Sequence, residues 1–530
     1  MKSFVMISAL MLVVALVYAQ CNLDWATIAG GILSDRGYDV SVDQNNNIYL
    51  TGSFAGLAAE FGGASLISEG GDDIFVAKAN SSGNWLWARR AGGSLADRGR
   101  AITTNADGVS YVTGHFRGDA NFSDEWISSQ GYEDVFVAKI DANGNWEWAV
   151  RAGGDSYDYG YGIATDASGN CYVTGSFVGT ASFGSTNLFS NGSTDVFIAK
   201  LSPDGNWLWA VQAGGNGSES GEDVTIDNYG NVYLTGYFRN TASFGAFSQT
   251  SAGGEDIFVA RLNSSGNWLW AQRAGGESNA AAYGICHDDA GYCYITGDYW
   301  GDVAFGSYPL TGGNEVFIAK IDSGGNWIWA IRTISDETNQ AWDIDISCNG
   351  HLFIAGQHYS EITFGTHTLL SAGSYDAFTA MANTEGNWLW AADGGGIATD
   401  YCGGVATDAA GSAIAVGDFY DEAVFSPLNL ISGGSHDVFI VKYNLTPVPA
   451  APQNLQISVL GNDVFLQWDP VDQDIYGNSL IPSYYLIFRS DNPVGEYVPV
   501  MQSQQTSVVD IGAGSLPVGF YRVSAETNQF

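Results

Sequence analysis

Three short stretches, "TGDYW", "AGQHY" and "VGDFY", each set an aromatic ring two residues after a hydrogen-bonding side chain: Asp298 with Trp300, Gln357 with Tyr359, and Asp418 with Tyr420. A ring beside an acceptor suits a sugar, whose apolar face stacks while its hydroxyls donate hydrogen bonds. Trp342, in "QAWDI", opens an innermost strand at the same face and joins the set. The competing reading is that these rings pack beneath long loops and finish a core.

Other chemistry is sparse. His115, His287, His351, His358, His367 and His436 are scattered and show no metal-ligand spacing. No nucleophile elbow and no phosphate loop occurs, and nothing singles out a carboxylate pair for glycoside cleavage. Asp73, Asp134, Asp195, Asp256, Asp376 and Asp437, with Glu315, recur before a phenylalanine. A ring of carboxylates binds a cation; alternatively, each accepts a hydrogen bond from its own loop backbone. The "DxxGN" turns lack the run of acids found in calcium loops, so structural calcium has no motif behind it, and no cofactor is expected.

The elements that carry these residues repeat. The second tryptophan of "GNWLWA" and its variants falls at Trp87, Trp148, Trp209, Trp270, Trp329 and Trp390, at steps of 61, 61, 61, 59 and 61, and Trp25 adds a further copy. Phrases such as "YVTGSF" and "DVFIAK" march in the same register. Self-similarity at a fixed period signals a repeat architecture. Each unit reads as four short strands with alternating apolar and polar residues and glycine in the tight turns. The array begins with an orphan fourth strand at Leu23 to Ala29 and ends, from Gly403 to Tyr443, with three strands and no tryptophan phrase. The fold class is therefore expected to be all-β. A seven-bladed β-propeller of four-stranded blades fills residues 22–445, and its N-terminal strand completes blade 7 and removes two exposed edges. The repeated tryptophans are expected to fill the wedge between neighbouring blades.

Residues 1–19 read as a signal peptide cleaved near Ala19, with lipidation of Cys21 as the alternative. Secretion or display at the cell surface follows, with no nucleic-acid partner and no membrane insertion. The formal net charge of −38 repels phosphate backbones and anionic lipids. Cys286 and Cys293 flank one hairpin turn; they pair in an oxidising compartment or stay as small buried thiols.

The phrases "YVTG", "DVFIAK" and "GNWLWA" at this spacing resemble the SBBP family of bacterial β-propeller repeats, which implies a secreted or surface-exposed propeller and no single activity. The turn before the tryptophans is similar to structural hairpins of quinoprotein dehydrogenases and sialidases, at different spacing. A proline-rich linker, "LTPVPAAP", covers 446–451 and its flanks. Residues 452–530 resemble a fibronectin type III domain, a β-sandwich, on "PQNLQISV", "VFLQWDP" with Trp468, "SYYLIFRSD" and "GFYRVSAE" with Tyr521. Two functions follow as expectations. The first is a non-catalytic binding or adhesion protein that recognises an extracellular glycan or protein. The second is a propeller enzyme acting on polysaccharide, as hydrolase or lyase, or a quinoprotein-like sugar oxidoreductase.

Overall fold

The computed structural model describes residues 20–446, 452–473, 482–490, 497–511, 513 and 520–526. The expected signal peptide at 1–19 and residues 447–451 of the expected linker at 446–451 lie outside the described residues. The chain divides into two compact units, one spanning Cys21–Asn444 and the other including Leu445–Phe530. Among the described residues the architecture is all-β, and no helix is long and apolar enough to cross a membrane.

Within the larger unit each repeat folds into an antiparallel four-stranded meander. In the first repeat, Asp35–Val42 pairs with Ile48–Phe54, which pairs with Asp73–Ala79, which pairs with Trp85–Gly93. The two middle strands are buried along their whole length, while the first and fourth are only partly covered. A middle strand has neighbours in its own sheet and another sheet on each face, which is why its sequence reads as a continuous apolar run. The last sheet runs Tyr401–Thr407, Ala413–Phe425, Leu428–Thr446, and its fourth member is Gln20–Ala29 from the start of the repeats.

Hydrophobic clusters form between consecutive sheets. Tyr49, Ile74 and Val76 of the first repeat pack with Val112, Phe116 and Phe136 of the second. The first repeat also packs on the last: Val40, Leu50 and Phe75 share a cluster with Val416, Val438 and Ile440.

The tryptophan phrase bolts each sheet to both neighbours. The first tryptophan donates backwards in three copies, as Trp85 Nε1 to Ile28 O (3.1 Å), Trp146 Nε1 to Arg90 O (3.3 Å) and Trp388 Nε1 to Arg332 O (3.1 Å). The second donates forwards to the next repeat's turn, as Trp87 Nε1 to Ala142 O (3.2 Å), Trp148 Nε1 to Pro203 O (3.0 Å) and Trp25 Nε1 to Ser81 O (3.2 Å). Each first ring also meets a phenylalanine edge-on, with Phe122–Trp146 and Phe305–Trp327 both at 5.1 Å. A hairpin between the second and third strands reaches over to the preceding sheet, pairing Ala120 with Gly93 and Ala181 with Gly154.

Where that hairpin crosses, two carboxylates share a site that only glycine leaves open. Gly92 has φ +134, and a methyl group there would sit 2.9 Å from both Asp73 Oδ1 and Asp97 Oδ2. Asp97 accepts the N–H groups of Gly93 (2.7 Å) and Arg117 (3.0 Å). Asp73 accepts the N–H of Glu69 in its own loop (3.0 Å), and Asp134, Asp195, Asp256, Asp376 and Asp437 do likewise with the residue four back. Glu315 departs from this pattern: its longer arm reaches the Ser335 N–H (3.0 Å) and Thr333 Oγ1 (2.8 Å).

All six cysteines are free thiols, and only Cys348 is exposed. Cys286 stands opposite Tyr294, and Cys293 opposite His287. That one-step offset directs the two thiols to opposite faces of the sheet.

The smaller unit holds two three-stranded sheets. One contains Gln456–Leu460, Asp463–Gln467 and Ser507–Asp510; the other contains Tyr484–Ser490, Val498–Ser503 and Phe520–Glu526. Leu466 and Trp468 from the first side share a core with Tyr485, Ile487 and Tyr521 from the second.

Candidate functional site

The first strand of every repeat carries a β-bulge. Pairing with the second strand slips between Gly37 and Asp39, Gly99 and Ala101, Gly160 and Gly162, Gly221 and Asp223, Ala282 and Gly284, Ala341 and Asp343, and Cys402 and Gly404. A bulge leaves its extra residue out of the ladder and re-aims that side chain. The extra residues are Tyr38, Arg100, Tyr161, Glu222, Tyr283, Trp342 and Gly403, and all of them line one cavity of ≈ 520 Å³. Arg36, Gln340 and Tyr401, two positions earlier, line it too.

A second cavity, of ≈ 270 Å³, is lined by aspartates that follow the bulges. Asp39 accepts the N–H groups of Val40 and, in the next repeat, Ile102 (both 2.7 Å). Asp223 does the same with Val224 (2.7 Å) and Ile285 (2.9 Å), and Asp343 with Ile344 (2.7 Å) and Val405 (2.8 Å). These carboxylates tie adjacent first strands together next to the bulges. Among the described residues no group of three or more His, Cys, Asp or Glu side chains is arranged to hold a metal.

Of the residues singled out from sequence, Trp342, Gln357 and Asp418 line the cavity. The Trp342 and Tyr283 rings lie 4.8 Å apart, tilted. Gln357 Nε2 donates to Gln340 Oε1 (2.8 Å), while Gln357 Oε1 is buried without a partner. Asp418 lies opposite Tyr401 in the sheet, with His436 Nδ1 2.9 Å from its Oδ2. Asp298 is buried just off the lining, opposite Ala281. Trp300, Tyr359 and Tyr420 stay outside the lining and are 48%, 40% and 43% exposed. Their backbones are pinned by Asn279 O, Asn339 Oδ1 and Asp400 Oδ1. Tyr359 leans on Tyr375 (5.3 Å) and Tyr420 on His436 (5.4 Å).

Burial dominates the electrostatics. It pushes Glu222 up to about 7 against the charge of Arg100, and Asp298 up to about 7 against the pull of the Gln340 amide. Asp418 is raised by burial and held back by His436 and, at longer range, by Arg36. Near neutral pH Glu222 and Asp298 are part protonated, so each both donates and accepts hydrogen bonds. The walls are aromatic rings, amides, carboxyls and guanidiniums, with no leucine, isoleucine, valine or methionine.

Tyr38, Arg100, Tyr161, Glu222 and Tyr283 were not among the residues singled out. A signal for them exists in "RGYDV", "RGRAI", "YGYGI", "SGEDV", "AAYGI", "QAWDI" and "YCGGV", where the third column changes character from repeat to repeat.

A family model described as a beta-propeller repeat, SBBP, matches residues 24–53 and 147–176, so the chain carries β-propeller-type repeats. The chain is similar to an uncharacterized WD repeat-containing protein of Acanthamoeba polyphaga mimivirus, 22% identical over 467 residues, covering 68% of this chain and 33% of that protein. It is also similar to the regulatory protein FlaEY of Caulobacter vibrioides, 27% identical over 167 residues, covering 30% of this chain and 17% of that protein. The chain thus spans a third or less of the length of these curated relatives. Among solved structures, one of a protein of unknown function from Dyadobacter fermentans aligns with a TM-score of 0.39 at 10% identity, covering 80% of this chain and 99% of that one. YCF48 bound to a D1 peptide aligns at 0.36 and 9% identity, covering 82% and 100%. A puromycin hydrolase aligns at 0.34 and 11% identity, covering 83% and 59%.

Proposed function

We propose that the chain is a secreted, non-catalytic binding protein: a closed seven-bladed propeller whose central funnel recognises an extracellular glycan, followed by a fibronectin type III-like spacer. The observation that carries this reading is the bulge tier. The fifth position of each segment stays valine or isoleucine, while the bulged residue that lines the funnel in every repeat changes between tyrosine, arginine, glutamate, tryptophan and glycine. Residues held constant serve the frame, and variation confined to a concave lining is what selective recognition requires. The lining chemistry favours a sugar over an apolar peptide, because rings and hydrogen-bonding groups are present and aliphatic side chains are absent. Trp300, Tyr359 and Tyr420, exposed beyond the lining, extend the contact for longer saccharides.

A second reading rests on Glu222 and Asp298. Carboxyls poised near neutrality are what general acid catalysis of glycoside cleavage uses. A glycan array on the full chain, followed by product analysis on each hit, separates the two. Binding without turnover is the expected result, released product supports the enzyme, and no glycan bound by wild type removes both.

A further inference from the structure

We infer that the glycan in the funnel carries a carboxylate, as a uronic-acid residue does, and that Arg36 and Arg100 receive it; this rests on the funnel being the glycan site. The argument starts from how the other half-buried arginines are spent. Arg90 pairs with Asp73 and Glu69, Arg151 with Asp134, Arg273 with Asp256 and Arg332 with Glu315. Arg89, which has no carboxylate partner among the described residues, instead donates to the Gly144 and Ala88 carbonyls (2.8 and 2.9 Å).

The two arginines of the funnel make neither kind of contact among the described residues. Arg100 makes no ion pair and no side-chain hydrogen bond among the described residues. Its guanidinium lies over the Tyr38 ring, 4.7 Å from the centroid, and its Nε is buried without a partner. Arg36 makes one long hydrogen bond, from Nε to Ser34 Oγ at 3.3 Å, and no ion pair. The acids that share the cavity, Glu222 and Asp418, are themselves held toward the neutral form by burial. Arg100 is therefore an unspent donor held over a ring, and Arg36 lines the same cavity with a single long hydrogen bond. A guanidinium fork matches a planar carboxylate bidentately, and the adjacent ring offers a stacking face for the sugar that bears it. A single planar charge also suits a molecule of net charge −38 better than a dianionic phosphate, which the surrounding field opposes more strongly.

The test is calorimetric titration of the full chain with four probes: a uronic-acid trisaccharide, its fully methyl-esterified form, a sulfated trisaccharide of the same linkage, and an acidic tripeptide. The free acid is expected to bind at least roughly tenfold more tightly than the ester, the size of one charge-assisted bidentate contact. Arg36→Gln and Arg100→Gln should each bring the acid-to-ester affinity ratio down toward one. Arg100→Lys keeps the charge but loses the fork and is expected to be intermediate; it serves as the test if Arg100→Gln lowers the melting temperature. Equal binding of acid and ester overturns this inference and leaves the glycan reading standing. Tighter binding of the sulfated sugar or the peptide overturns it as well. Absence of binding by all three saccharides overturns both readings.

Discussion

Trp342 and Tyr283 meet at a tilt, both on bulges, and neither ring is fully covered by its own sheet. Replacing Trp342 with alanine removes a stacking face without opening a core, so glycan affinity should fall by roughly tenfold, with little change in melting temperature; a parallel loss of stability would return Trp342 to the frame. Trp300 and Tyr420 differ in kind, because they lie outside the lining and are about half exposed. Trp300→Ala and Tyr420→Ala should weaken binding of a long oligosaccharide and leave binding of a monosaccharide untouched. Comparing dissociation constants for the two ligand lengths checks this.

At the scale of the strand, the fourth members and the carboxylates next to the bulges decide whether the sheets hold together. Deleting Asn22 to Ala29 should strip the last sheet of its outer strand and leave the edge of Leu428–Thr446 unpaired. A large drop in melting temperature or aggregation is expected; an unchanged, monomeric truncation would refute the closure. Asp343→Ala removes the acceptor for two backbone N–H groups, one in the next repeat. Leaving both unsatisfied should cost about 2–4 kcal/mol, readable by denaturant unfolding. These elements were legible in the sequence because tryptophan and glycine recur in register and strand periodicity is local. The bulges were not. A bulge is one residue out of step, and in "RGYDV" or "SGEDV" it differs from ordinary alternation only when paired with its partner strand. Trp342 was noticed for its size, whereas Arg100 and Tyr38 carry no such flag and acquire meaning only when seven non-adjacent columns converge on one cavity.

Across the whole molecule, buried acids set the response to pH. Burial raises Asp35, Asp97, Asp158 and Asp400 to about 7, and Glu219 likewise, partly through neighbouring acids such as Asp437, Asp73, Asp134 and Asp376. Folded carboxyls that hold protons more tightly than unfolded ones bind more protons between pH of about 4 and 7. Their contribution is fully present below the unfolded value and is lost as pH rises through about 7. Turn aspartates such as Asp141, Asp166 and Asp322 act oppositely, since hydrogen bonds to their loops lower them, and their contribution disappears in stronger acid. Thermal melts should therefore show greater stability near pH 5 than near pH 8, with a decline below pH of about 4. Asp97→Asn should flatten the alkaline limb, and a melting temperature that rises from pH 5 to pH 8 would contradict the assignment.

The last sheet has one further consequence, which is mechanical. Gln20–Ala29 and Leu428–Thr446 are neighbours, so the points where the chain enters and leaves the repeats belong to one strand pair. Tension applied along the backbone across the repeats is carried first by that pair's hydrogen bonds, while the other sheets lie outside the line of force. In a single-molecule pulling experiment, the first rupture should release the short entering strand, and the remaining repeats should yield only afterwards.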